Sequence, residues 1–226
     1  MEHGGGHEIG GHKLVHLVGL TINMDTLLMT WLAMFIVIVL AVIATRRVKL
    51  VPSGWQVLLE MIMTSLLDQI EVAMGPKGKK MAPLIITLFL FLLVANWLGL
   101  VPGLTSPTND LNTTLGLALM IVLLVHQQGI SNKGFGKHLK HFIQPNIFFL
   151  PINIVEEIAK PVTLSFRLFG NIMAGEILLI ILGILVPYFV PTLWLAFSVV
   201  VGIIQAFIFT MLTMSYFSNV FTEEDH

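Results

Sequence analysis

The sequence predicts an all-α integral membrane protein with five transmembrane helices and one amphipathic surface helix. Three observations carry this expectation. Of 226 residues, 56% are hydrophobic and only 11% charged, and the mean hydropathy is +0.90, a composition foreign to soluble domains. Apolar runs of about twenty residues or more recur along the chain, enough to cross a hydrocarbon core roughly 30 Å thick. Basic residues gather in small clusters beside those runs and can all be kept on one side of a membrane. A net charge of −1 argues against a nucleic-acid partner. The absence of cysteine excludes a disulfide framework, a thiolate metal site and a thiol nucleophile.

Residues 1–24 read as an external polar tail, and 25–226 as a single membrane domain. The tail carries His3, His7, His12 and His16 among glycines. Flexible glycine gives a metal neither fixed geometry nor a second shell, so solvation is the better reading. The tail lacks the basic-then-apolar order of a secretory signal, and the first span serves as an uncleaved insertion signal. That span, 26–45, has no charge and ends at Arg46, Arg47 and Lys49, which marks its far end as cytoplasmic.

Residues 55–74 differ. Glu60, Thr64, Asp68 and Glu71 share one helical face, while Leu58, Leu59, Ile62, Leu66 and Ile70 share the other, the pattern of a helix lying on the membrane. Lying flat, it keeps Lys77, Lys79 and Lys80 on the same side as the first basic cluster. A second span, 81–104, carries Asn96 and Trp97 near its far end and leaves through VPGLTSPTNDLN, which has turn chemistry and no basic residue. The third, 111–130, returns to a loop containing Lys133, Lys137 and Lys140.

The last two spans, 151–186 and 192–221, form a long hairpin turned at Pro187 and Pro191. A helix over 151–186 measures about 54 Å at 1.5 Å per residue. It must therefore tilt steeply, kink at Pro161, or project from the membrane. The chain then ends in TEEDH on the inside, so the N-terminus is outside and the C-terminus cytoplasmic. No internal repeat or soluble domain is visible.

The chemistry concentrates between Glu156 and Glu176. Glu156, Lys160, Thr163, Arg167 and Asn171 fall on one helical stripe, which Ala174 continues and Gly170 and Gly175 flank. Glu176 points to the opposite face. A charge deep in a bilayer costs about 2.5–3.5 kcal/mol on insertion scales. Arg167 lies roughly 16 Å along the helix from Glu156, too far for direct pairing, and apolar sequence beyond it makes snorkelling poor. A functional arginine is the favoured reading over a structural one. On the final span Ser198, Gly202 and Gln205 fall close to one face. Alone, Gln205 reads equally well as an interhelical hydrogen bond; beside Arg167 and Asn171, a polar path through the membrane is the better reading. Glu176 reads as a relay reached by water from the external turn, and Glu156 and Glu157 lie toward the inner mouth. Nothing suggests a nucleophile–base arrangement, a phosphate loop or a metal cluster, so neither catalysis by this chain alone nor a cofactor is expected. His126, His138 and His141 read as interfacial or solvated rather than as ligands. Rival classes are a secondary transporter with Arg167 binding an anion, a purely structural membrane subunit, and a self-sufficient channel.

The segment KPVTLSFRLFGNIMAGEILL, followed by IIQAFIFTMLTMSYFSNVFTEE, resembles the a subunit of the F-type ATP synthase membrane sector. PTNDLNTTLGLAL and NWLGLVP match it too, as does the order of spans, and the likeness covers nearly everything after the tail. The resemblance implies a non-catalytic stator subunit, its tilted hairpin beside a rotating ring of c subunits; a bacterial plasma membrane is the default location, with an organelle of bacterial descent as the alternative. Peripheral-stalk b subunits and the rest of the complex would be partners, and H⁺ or Na⁺ the coupling ion. By the same resemblance, Arg167 faces the ion-binding carboxylates of the ring. Glu176, Asn171 and Gln205 line an external half-channel, and Glu156 or Glu157 belongs to a cytoplasmic one. One departure stands at Ser198, where several members carry a histidine facing the glutamate. A hydroxyl can hold water but cannot carry a proton charge near neutral pH, so Glu176 with water must suffice.

Overall fold

The computed structural model describes residues 14–17, 20–46, 54–101, 103–134, 136, 148, 150–186 and 189–222. A short antiparallel ribbon, β1 (Leu14–Leu17) and β2 (Leu20–Asn23), leads directly into the first helix. Val15, Thr21 and Ile22 are β-branched residue types that suit a pleated ribbon. His16 lies in β1, while His3, His7 and His12 fall outside the described residues.

Six long helices follow among the described residues. α1 (Met24–Arg46), α2 (Trp55–Met74), α3 (Ala82–Leu98) and α4 (Leu111–Lys133) precede the hairpin of α5 (Leu150–Leu185) and α6 (Phe189–Thr222). Five of the helical stretches are long and apolar enough to cross a membrane: Met24–Thr45, Gly78–Leu98, Leu111–Asn132, Leu150–Leu185 and Phe189–Phe221. The protein is an all-α multi-pass membrane protein apart from the ribbon. α2 is amphipathic instead. It buries Leu66, Ile70 and Met74 and exposes Asp68 and Glu71. Its ends are marked by Gly54 and Gly75, both at positive φ, where a side chain would be strained.

Two of the helix ends that differ from the sequence expectation have a visible local reason. α3 stops at Leu98 rather than running to 104, because the chain folds back and packs Ser106 onto Gly99. A Cβ added at Gly99 would come within 2.7 Å of the Ser106 side chain. At the other end of the chain, α6 begins at Phe189 and contains Pro191 in its first turn. Proline is tolerated there because the amides of the first turn have no intrahelical acceptor. Pro161 sits buried inside α5 without ending it.

The core lies at the end of the bundle where α2 packs, here termed the inner end, with the α5–α6 turn termed the outer end. Leu66 and Ile70 of α2, Ile85 and Leu92 of α3, Ile121 of α4, Leu164 and Leu168 of α5 and Phe209 and Phe217 of α6 all meet there. A smaller cluster seats Ala33 and Val37 of α1 on Val94 and Leu98 of α3. In lipid the tails are as apolar as leucine, so close packing and interhelical hydrogen bonds, about 0.6 kcal/mol each on average, hold such helices together. The outer half of the hairpin is more open, and Ile184, Leu185, Leu193 and Phe197 are exposed.

Candidate functional site

The rotation of α5 is fixed by its contact with α4. Pro161, Leu164, Ser165 and Leu168 are its buried face, and the Ser165 hydroxyl meets that of Thr114 at 2.9 Å in the interior. With that face inward, Glu156, Thr163, Arg167, Gly170 and Ala174 are all exposed. Among the described residues no hydrogen bond or ion pair engages Arg167, Glu156 included. A Cβ added at Gly170 would meet nothing within 4 Å, so nothing inside this chain requires a glycine there. Arg167 therefore presents a fixed charge on an open, small-residue face.

Outward of Arg167, α3, α5 and α6 enclose a cavity of about 190 Å³. Asn96, Asn171, Glu176, Trp194, Ser198 and Gly202 are among its lining residues, and it is large enough to admit water to these polar groups. Trp194 ties the hairpin across the cavity by donating Nε1 to the Gly175 carbonyl at 3.2 Å. Trp97 donates likewise to Val199 at 3.2 Å. The Ser198 hydroxyl donates to the carbonyl of Trp194, one turn back, at 2.9 Å. Glu176 Oε2 accepts from Asn109 Nδ2 at 2.6 Å. Asn109 stands on the 3₁₀ turn Pro107–Asn109, which is pinned to α3: Ser106 donates to Ala95 at 2.9 Å. Asn96 in turn donates to the Gly202 carbonyl on α6 at 3.1 Å. Asp110 caps α4 by accepting from the Asn112 amide at 2.9 Å and also engages Thr26 of α1.

Gln205 does not line this cavity. It is buried at 6% exposure, and its Nε2 has no hydrogen-bond partner among the described residues. A buried donor left unpaired costs about 1–3 kcal/mol. By rise alone Gln205 and Arg167 both lie roughly 24–27 Å from the outer turn, near the same depth.

The inner end of α5 is organised by charge. Lys160 Nζ lies 2.5 Å from Glu157 Oε1 and 3.6 Å from Glu156 Oε1. Glu157 Oε2 also lies 3.6 Å from His126 Nε2 on α4. The same ammonium sits 5.7 Å from the ring centroid of Tyr216 on α6, within cation–π range. The Glu157 side chain is 26% exposed and that of Glu156 65%, so the adjacent glutamates occupy different surroundings. The partly exposed His126 joins the Glu157 cluster and meets the Val122 carbonyl at 2.9 Å through Nδ1. His138 and His141 fall outside the described residues.

Asn171, Glu176 and Ser198 thus share one cavity, Glu156 and Glu157 share one lysine, and Arg167 stands between the two groups. Asn109, Asn96, His126 and Tyr216 were not singled out from the sequence as site residues. The available signals were a polar run, TSPTND, between apolar spans for Asn109, and a lone amide within an apolar span for Asn96.

The ATP synthase A chain family model matches residues 27–218. The chain is 44% identical over 225 residues to ATP synthase subunit a of Desulforamulus reducens, an alignment covering 95% of this chain and 86% of that protein. It is 39% identical over 221 residues to the Acidothermus cellulolyticus subunit a, covering 93% and 82%. Over 195 residues it is 38% identical to the subunit a of Moorella thermoacetica, covering 86% and 89%.

Proposed function

The chain belongs to the ATP synthase A chain family, and on that premise we propose that it is the ion-translocating stator subunit of an F-type ATP synthase. It supplies two offset half-channels to a rotating ring of c subunits and performs no catalysis itself. The observation that carries this reading is Arg167: a permanent charge on an open face, unpaired within the described chain, between a carboxylate-bearing cavity and a carboxylate-bearing charge cluster.

The outer half-channel is the cavity of Asn171, Glu176 and Ser198, with Gln205 deeper along the same path. The inner half-channel opens at Glu157, with Glu156 at its rim. A ring carboxylate reaching Arg167 is favoured in its ionised form and gives up its ion to one half-channel. It then passes the guanidinium and reloads from the other. The fixed positive charge also repels cations that would leak directly between the mouths. Each elementary charge crossing gains about 2.3 kcal/mol per 100 mV. The open surroundings of Gly170 and Ala174 support a sliding contact in which ring helices approach closely without interlocking. Peripheral-stalk b subunits complete the stator. The basic clusters support a cytoplasmic C-terminus and an external N-terminus in a bacterial plasma membrane.

The test is ATP-driven ion uptake by vesicles containing the whole complex, wild type against Arg167→Ala and Arg167→Lys, with assembly checked by co-purification of the c ring. Both variants should assemble and lose uptake, by a factor of about 100 or more for alanine. Lysine fares poorly because its ammonium can shed a proton when desolvated. An assembled Arg167→Ala complex that pumps normally overturns the reading.

A further inference from the structure

We propose that Asn109 is a positioning residue of the outer path, its side-chain amide holding the Glu176 carboxylate at the wall of the cavity. The proposal rests on the reading of Glu176 as an outer-path carboxylate and goes beyond it in assigning a role to the loop between α3 and α4. The contact is short, 2.6 Å, and joins residues separated by 67 positions. The turn that carries it is built to stay in place. Ser106, Pro107 and Thr108 are buried, and the Ser106 hydroxyl meets both the Thr108 amide at 3.3 Å and the Thr108 hydroxyl at 2.7 Å. Thr108 in turn donates to Asn96 Oδ1 at 3.4 Å. The next residue, Asp110, is occupied in capping α4. Asn109 is the residue of this run whose side chain crosses to α5.

The choice of an amide has chemical sense. A glutamate side chain has several rotatable bonds and samples many positions unless something holds it. A lysine or arginine would hold it too, but would add a full positive charge beside it. An amide N–H orients the carboxylate and remains neutral, so the group can still take up and pass on a proton.

The experiment compares ATP-driven uptake by vesicles of the intact complex carrying Asn109→Leu, Asn109→Asp, Glu176→Asp, Glu176→Gln and the double variant Asn109→Leu/Glu176→Asp. Asn109→Leu should lower uptake about tenfold, the size expected for losing one hydrogen bond to a charged group. In the Glu176→Asp background, where the carboxylate is drawn back by one methylene, the same change should cost less than about twofold. Asn109→Asp preserves the shape of the turn and decides the matter where the leucine variant fails to assemble. It should be impaired at alkaline pH, where two carboxylates face each other, and recover toward acid pH, where one proton shared between them restores a donor. Normal uptake by Asn109→Leu, independent losses in the double variant, or a pH-independent Asn109→Asp overturns the proposal. Normal uptake by Glu176→Gln overturns the outer-path reading itself and the proposal with it. A failing Glu176→Gln beside a normal Asn109→Leu sinks only the role of Asn109.

Discussion

At the inner end of α5, Glu157 pairs with a lysine and lies 3.6 Å from a histidine, its side chain half-buried. At the outer end, Glu176 accepts from an uncharged amide and faces a cavity of about 190 Å³. The two carboxylates belong to the same helix, yet their surroundings suit different work. A carboxylate beside an ammonium has its charge balanced within the protein, and loss of either partner leaves a half-buried charge exposed to the low dielectric. An amide that holds a carboxylate orients it without adding a charge of its own. The packing follows the same division, for the large core residues gather inward while the outer turns of α5 and α6 expose isoleucine, leucine and phenylalanine. The inner end is tied by charge, and the outer end is left open for traffic.

The largest effect that separates the ends is expected from the two adjacent glutamates. Glu157→Gln should lower ATP-driven uptake about tenfold, because it removes the carboxylate shared by Lys160 and His126 and leaves that ammonium under-compensated. Glu156→Gln, at the more exposed position, should change uptake less than about twofold. Vesicle uptake at matched complex content measures both, and the reverse order would move the inner path to Glu156. A smaller effect is expected from Lys160→Met. Its side chain is 19% exposed, and losing the pair should destabilise the chain by about 1–2 kcal/mol after allowance for screening, read as a lowered thermal unfolding midpoint in detergent. An unchanged midpoint would mean that the inner end is held by the core alone.

How far the sequence reveals this contrast depends on the kind of information a residue carries. The spans and the amphipathic α2 were legible because hydrophobic period and basic clusters are local properties. Arg167 and Glu176 stood out because a charge within an apolar run is costly wherever the neighbours fall. Glu176 and Asn109 lie far apart in sequence, however, and nothing in PTND announces which helix its amide will reach. Likewise only the packing of α4 on α5 brings His126 to Glu157. The structure separates Ser198, Gly202 and Gln205 by depth although they share a helical face. A helical wheel reports direction around the axis and not depth along it, so two of the three meet the cavity and Gln205 lies buried beyond it. The helix ends at Leu98 and Phe189 escaped for a related reason: a fold-back onto Gly99 and a proline in a first turn are tertiary and positional facts.

The smallest expected effect on rate tests the contrast most directly. Ser198→His places a titratable ring on the wall of the cavity that also holds Glu176, giving the outer end the carboxylate–imidazole chemistry now found only at the inner end among the described residues. The cavity is open enough for the complex to assemble with the ring in place, and uptake at neutral pH should stay within about twofold of wild type. The pH profile should change instead. An imidazole in ordinary surroundings titrates near pH ~6.5, where a serine hydroxyl carries no charge in either limb. Ion uptake measured from roughly pH 5.5 to 8 should therefore acquire an added inflection in the variant. Replacing Glu176 by glutamine in that background should displace the inflection, because the ring then faces no carboxylate. Profiles that superimpose across the range would mean that ions reach Arg167 without passing Ser198. The cavity would then be only a gap between helices, and the difference between the two ends of α5 a matter of packing rather than of transport.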